Sequence, residues 1–438
     1  MGSRGRKRWG VTIGLLVMVA VAAWTSASGA SGASGASGAW TKARAAGSSP
    51  RPHDAAQCSS SDTSPHNPAN PLDTPGFTGT NPLAGAHLFV ESPWQYGGDA
   101  ADAIANEVGL GHLSTEQSGT PIPWAQFEAR VNAMHLSRNV SYRVHMLEKI
   151  GNYPQAHQFS LYTAGGSGPA IFTQVQNYLC RMQRTDPGAA AEITTYFVKH
   201  GGGCSGGTNP NFDAEVSALK DAVGNFPALI FVEEDAIDTI CWRSPAAITQ
   251  REALLKDEID QLSQLPHALL YVEGGTSDAN SPAEAARVLN ASDASKIRGF
   301  FTNDTHFNWA YKEIQYANKV SKLTGGLHFV VDTRGDGNGP LRNPHPVTQG
   351  NEQLCNPPGR GLGPKPGASN GASYGMASPS LDGFVWVTTP GESAAPTCPG
   401  RSTHYAASGI FDEGIAIGYA SRANDRIGPS PRFKSRHW

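Results

Sequence analysis

Three acids stand in a row at Glu233, Glu234 and Asp235, directly after the apolar run Ala228-Leu-Ile-Phe-Val232. Five consecutive apolar, β-favouring positions are the pattern of a strand covered on both faces, so the acids fall where such a strand leaves the core. Carboxyl groups bunched there can give and take protons in a cleft. If the extended backbone continues past Val232, alternation puts Glu233 and Asp235 on one face and Glu234 on the other. The same arrangement recurs along the chain. Glu273 follows Tyr271-Val272, Asn303-Asp304 follow the run 299–302, and Asp332-Thr333-Arg334 follow 328–331. Any one acid taken alone reads more readily as structural than as catalytic; their joint placement at one end of the sheet shifts the balance toward chemistry. Acids, amides and aromatics together suit a polyhydroxylated substrate, because carboxylates accept from hydroxyls and rings cover apolar sugar faces.

The elements that must position these residues alternate in type. Runs at 86–90, 193–198, 228–232, 268–272, 299–302, 328–332 and 384–387 predict strands, and 214–223, 246–265, 282–289 and 309–323 predict helices. The spacing between strands is too long for hairpins and implies crossover helices over a parallel sheet. Ile248, Leu255, Ile259 and Leu262 predict one helix's buried stripe, with Glu252, Lys256 and Glu258 outward. The expected fold is α/β, a distorted (β/α) barrel of seven to eight mostly parallel strands with a cleft at their C-terminal ends. An open doubly wound sheet is the alternative, but no Gly-x-Gly-x-x-Gly follows the first strand, and no dinucleotide or other cofactor is expected.

Composition narrows the partners. With 34 basic and 37 acidic residues and a net charge of −3, nothing suggests a nucleic-acid backbone. Arg4, Arg6, Lys7 and Arg8 precede an uncharged apolar stretch, so residues 1–30 read as a secretory signal, with an uncleaved anchor as the alternative. A Ser/Gly/Ala-rich and then polar stretch over 31–80 reads as disordered linker, which leaves 81–438 as the folded domain. Six cysteines in an exported chain favour disulfides, and no close Cys or His spacing suggests a metal. The reading is of a secreted monomer whose partner is a polysaccharide, with no stable membrane insertion once the signal is removed.

Four segments resemble glycoside hydrolase family 6, the cellobiohydrolases and endo-β-1,4-glucanases, in the family's order. They are Asn81-Pro-Leu-Ala-Gly-Ala-His-Leu-Phe-Val90, Val331-Asp-Thr-Arg-Gly-Asp-Gly-Asn-Gly-Pro340, Cys355-Asn-Pro-Pro-Gly-Arg-Gly-Leu-Gly363, and Phe384-Val-Trp-Val-Thr-Thr-Pro-Gly-Glu-Ser393 followed by Cys398. The resemblance implies a secreted glucanase that inverts the anomeric carbon, with Asp235 as general acid and Glu233 and Glu273 as the other candidate catalytic carboxylates. It implies a substrate-binding set of Tyr196, Asn356, Trp386 and Glu392, to which the strand-end residues Asn303 and Asp332 are added. It also implies disulfides Cys204–Cys241 and Cys355–Cys398, leaving Cys58 and Cys180 over. The chain departs from the family where Glu234 replaces a proline, Gly203 a second aspartate, Thr276 a histidine, Leu354 a tryptophan and Thr388 a lysine, where Ala279 and Ala394-Ala395 lack the family's residues, and where Ser205 is a doubtful stand-in for a serine. The alternative these losses leave open is a non-catalytic carbohydrate-binding barrel.

Overall fold

The computed structural model describes residues 66–75, 77, 79–93, 99–110, 122–162, 167–198, 209–342, 354–398 and 401–429. All of them belong to one compact unit, Pro50–Trp438. Cys58, Gly203, Cys204 and Ser205 lie outside the described residues, as do the segment 1–30 expected to be a signal and most of the expected linker.

Three helices, α1 (Ala100–Glu107), α2 (Trp124–Asn132) and α3 (Arg138–Gly151), precede the first strand. Then β1 (His157–Ser160), α4 (Gly168–Thr185), β2 (Ala191–Tyr196), α5 (Phe212–Val223), β3 (Ala228–Val232), α6 (Pro245–Leu262), β4 (Ala268–Glu273), α7 (Pro282–Ala291), β5 (Gly299–Thr302), α8 (Ala310–Leu323) and β6 (His328–Asp332) alternate. The chain closes with β7 (Gly367–Ala368), β8 (Leu381–Val385), the small pair β9 (Glu392–Ser393) and β10 (Ile410–Phe411), and α9 (Glu413–Ser421). Eight strands form one sheet in the order β1-β2-β3-β4-β5-β6-β8-β7, parallel except for β7. The sheet curls until Ala156, just before β1, donates to the carbonyl of Trp386, just after β8, at 2.9 Å. This is the expected distorted barrel.

Alternation along the strands makes two cores. Ala228, Ile230 and Val232 pack with the helices, whereas Leu229 and Phe231 join Tyr271, Phe301, Val330 and Val385 on the inner face. A separate cluster fastens α1, α2, α3 and α9 to Trp386. The run 86–90 makes only an isolated bridge between Leu88 and Ala190 in place of the expected strand. The first strand is β1, whose His-Gln-Phe-Ser sequence has too little apolar character to announce itself. Helix α6 starts at a Ser244 cap followed by Pro245. Its stripe of Ile248, Leu255, Ile259 and Leu262 is buried as expected, but so is Glu258, which corrects the expectation that it faces out. The Thr195 hydroxyl donates to its carboxyl at 2.8 Å, and this partner replaces the water it gives up. Upstream of Asn81, residues 67–73 already pack on the barrel: Leu72 is buried and the Asn70 amide donates to the carbonyls of His87 and Gly188. No helix among the described residues is long and apolar enough to cross a membrane.

Candidate active site

Strand β3 ends at Val232, and the backbone then leaves the extended region. Glu233 and Asp235 have φ of +58° and +61°. Asn303 and Asn356, two more residues expected to be functional, have φ of +74° and +43°. Left-handed backbone at non-glycine residues is strained, and such strain collects where a site must be held in one shape. It also ends the alternation that would have placed Glu233 beside Asp235. The Glu233 carboxylate accepts from the amides of Phe197 and Val198 at 2.6 and 2.9 Å and is fully buried. It ties the end of β2 to the end of β3.

Asp235 remains partly open to solvent. The Thr305 hydroxyl donates to its Oδ1 at 2.6 Å, and its own amide donates to Asp304 Oδ2 at 3.1 Å. No described residue donates to its Oδ2. Burial raises its pKa above the ordinary aspartate range, against the pull of Thr305, His306 and Arg334. Asp304 is itself pushed up to about 6, by burial first and by the charge of Asp235 second. Its Oδ1 is buried without a hydrogen-bond partner. Glu234 is also raised well above its usual range, by burial and then by Glu392, Asp235 and Asp304. It accepts from Gln158 of β1 at 2.6 Å. Glu392, on β9, is partly exposed and feels Arg334 on one side and Asp235 on the other. Arg334 is the buried cation among these acids, donating to the Asp304 carbonyl at 2.7 Å and lying 3.7 Å from Asp332.

Asp332 sits deeper. It accepts from the amides of Arg334 and Val387 at 2.7 and 3.0 Å and is raised to about 8 by burial. Glu273 is likewise buried, accepting from the amides of Ile237 and of Gly275, the latter at 2.7 Å. Asn303 bonds the backbone of Asn308 and Asp332, and Asn356 bonds Ser393, Ala394 and Ala395. Both fix loops with their amides. Trp386 is 1% exposed and packs edge-on against Tyr153, so it offers no stacking surface. Among the described residues, Tyr162 is 63% exposed, and 6.2 Å away lies the ring of Tyr196, which is half-buried and raised by burial and by Asp235. The Cys355–Cys398 disulfide is present, Cys241 is disulfide-bonded, and Cys180 is buried on α4.

Sequence reasoning missed Tyr162, Thr305, Asp238 and His306. His306 sits 3.4 Å from Asp238 and 2.9 Å from Asp278; burial opposes its charge, but these partners lift it to about 9. The signal was the polar triplet Asp304-Thr305-His306 directly after a buried strand. A cavity of about 590 Å³ lined by Leu265, His267, Ile297 and Arg298 lies at the opposite, N-terminal end of the strands. The carboxylates, not that cavity, make the candidate site, because α/β sheets present ligand-binding groups at the carboxyl ends of their strands.

Residues 197–413, which span the loops carrying Asp235, Asp304, Arg334 and Glu392, match the family model "Glycosyl hydrolases family 6". Endoglucanase 1 of Streptomyces sp. (strain KSM-9) is 32% identical over 253 residues, 56% of this chain and 65% of that protein. This chain therefore spans just under two thirds of that relative's length. The endoglucanase Cel6 of Mycobacterium tuberculosis, solved in complex with methyl-cellobiosyl-4-deoxy-4-thio-β-D-cellobioside, aligns with a TM-score of 0.54 at 28% identity, covering 64% of this chain and 89% of its own. An Orpinomyces sp. Y102 enzyme shares the fold at 19% identity, with a TM-score of 0.55 over 79% of this chain and 99% of its own. Strand order, motif order and these likenesses agree in relating the chain to family 6 of the glycosyl hydrolases.

Proposed function

We propose that this barrel is an exported glycosidase of the endoglucanase kind, hydrolysing a β-1,4-glucan with inversion and using Asp235 as general acid. The observation that carries the reading is the state of Asp235. It is a strand-end carboxyl with one oxygen held by Thr305, the other not bound by any described residue, and a pKa raised by its surroundings. A general acid needs that combination, a proton retained near the working pH and an oxygen free to deliver it. Protonation of the glycosidic oxygen by Asp235 would let a water attack the opposite face of the sugar, with no covalent intermediate.

Sequence comparison left the acid without its second carboxylate, because Gly203 stands at that position. Asp304 is our candidate for the role. It follows β5, a different strand, holds the Asp235 amide and repels a second negative charge beside it. Glu392 and Arg334 are assigned to sugar hydroxyls, and Tyr162 with Tyr196 to an apolar sugar face. The charged and then apolar leader and the disulfides support export.

The test is reducing-end release from a soluble β-glucan by the parent and by Asp235→Asn. Loss of about 10²–10⁴-fold is expected, with an unchanged unfolding midpoint. A variant as fast as the parent would remove Asp235 from the role. A parent that binds glucan without cleaving it would establish the carbohydrate-binding barrel instead. Polarimetry of the initial product reads inversion directly.

A further inference from the structure

At the N-terminal end of the barrel strands, the end opposite the acids around Asp235, two imidazoles converge on one carboxylate oxygen. His66 Nδ1 lies 2.8 Å from Asp73 Oδ1, and His267 Nδ1 lies 3.0 Å from the same atom. All three donor atoms fall within 4.8 Å of one another. The backbone carbonyl of Asp73 is also 3.0 Å from His267 Nδ1. The geometry points to a structural site for a late first-row divalent cation, best matched by zinc, held by His66, His267 and Asp73.

A hydrogen-bonded triad and a bound cation are the two accounts of this arrangement. The two rings stack at 4.4 Å with an interplanar angle of 27°. If both imidazoles were charged, two cations would lie face to face; if both were neutral, each would aim an N–H at the same oxygen. A carboxylate oxygen can accept both N–H groups; a metal ion would instead take a lone pair from each neutral ring and one from the carboxylate, so metal uptake decides between the two arrangements. Bonds of about 2.0–2.1 Å at 90–110° separate ligand atoms by roughly 2.9–3.4 Å, so the present spacing needs only a slight opening. Two nitrogens exclude calcium and magnesium as the preferred guests, and the lack of sulfur ligands excludes soft copper(I).

The surroundings hold the donors ready. Asp73 has a fully buried side chain, and its Oδ2 accepts from the Asn67 amide at 2.5 Å, a contact that orients the carboxylate. Asn70, also fully buried, anchors the same arm to the carbonyls of His87 and Gly188. His267 directly precedes β4 and has a side chain 15% exposed, while that of His66 is 39% exposed and leaves room for a completing water. The ligands are separated by 7 and 194 residues, so no local spacing in the sequence could have shown them. The site lies at the start of β4, at the opposite end of that strand from Glu273. Its consequence is therefore mechanical: the ion would fasten the arm of residues 66–73 to the start of β4.

The experiment uses the full chain, stripped with a chelator and titrated with Zn²⁺ by calorimetry and with Co²⁺ by visible absorption. One equivalent should bind, with a Co²⁺ ligand-field band and a Zn²⁺-dependent rise in the thermal midpoint. His66→Gln, at an exposed position that leaves folding and the catalytic end untouched, should weaken binding by about tenfold or more and abolish the thermal rise. Asp73→Asn should do the same, and if it fails to fold, His66→Gln carries the result. Absence of stoichiometric uptake would overturn the site. So would uptake undiminished in His66→Gln, since the ion would then be held by others of the chain's 14 histidines.

Discussion

Asp304 and Asp382 are both buried aspartates on the same sheet, at opposite ends of it. Asp382, at the start of β8, is surrounded by donors: Arg298 grips both oxygens at 2.9 and 2.8 Å, the Tyr271 hydroxyl donates at 2.6 Å and His328 lies at 3.1 Å. Burial would raise its pKa, but these partners hold it below the usual range. Asp304, after β5, accepts one backbone amide and has an oxygen with no partner. Around it Glu234, Glu273 and Asp238 are raised by burial and by neighbouring acids, and Asp235 is raised by burial. The satisfied carboxylate builds the fold, whereas the unsatisfied group stores the electrostatic free energy that chemistry can draw on.

That contrast can be broken at either end. Arg298→Met strands Asp382 in a buried place without its counter-ion and should destabilise the chain by about 3 kcal/mol or more in urea unfolding. The double change Arg298→Met with Asp382→Leu should recover part of the loss, because no uncompensated charge is then left inside. A loss of activity per folded molecule in either variant would show that the two ends are coupled.

A second test concerns Glu192 on β2, whose inner-face carboxyl has no hydrogen-bond partner and is pushed from 4.5 to about 8 by burial and by Asp332. The native state keeps a proton there that the unfolded chain loses. Stability should therefore fall as pH rises from about 4.5 to about 8, and His306, raised to about 9, adds to the fall at the upper end. On the acid side Glu91 works the other way. Arg181 and His157 overcome its burial and hold it at about 2, so its contribution is present above its ordinary pKa of 4.5 and is lost toward pH 2. The stability maximum should lie near pH 5. Glu192→Gln should flatten the alkaline fall by on the order of 2–4 kcal/mol at pH 8, measured by denaturant titration at a series of pH values. An unchanged slope would place the proton elsewhere.

The smallest expected effect sharpens the comparison most. Asp304→Asn keeps an acceptor for the Asp235 amide but removes the charge that favours a proton on Asp235. The basic limb of the rate profile, which follows loss of that proton, should move down by about one pH unit, with stability unchanged or slightly improved. A limb that stays in place would assign the tuning to Glu234 or Glu392.

The sheet was legible in the sequence because buried parallel strands are continuous apolar runs: β3, β5 and β6 begin and end where the runs do. Helix α7 announces itself in the same way, through Ser281 and Glu284 as a capping box. The short β1 was not legible, because a four-residue strand with one large apolar side chain has no period to detect. Family motifs located Asp235 and Glu392, but they could not say which neighbours point at them.

The sequence by itself determined which residue types sit at the strand ends, since burial of a strand forces polar residues to its exits. Only the tertiary structure decided which acids share a site. Positive φ at Glu233 and Asp235 broke the alternation, turned Glu233 onto the amides of β2 and brought Asp304, from 69 residues away, under the Asp235 amide. Long-range pairing of this kind depends on loop geometry and on how strands curl together, neither of which is encoded in any local window of residues.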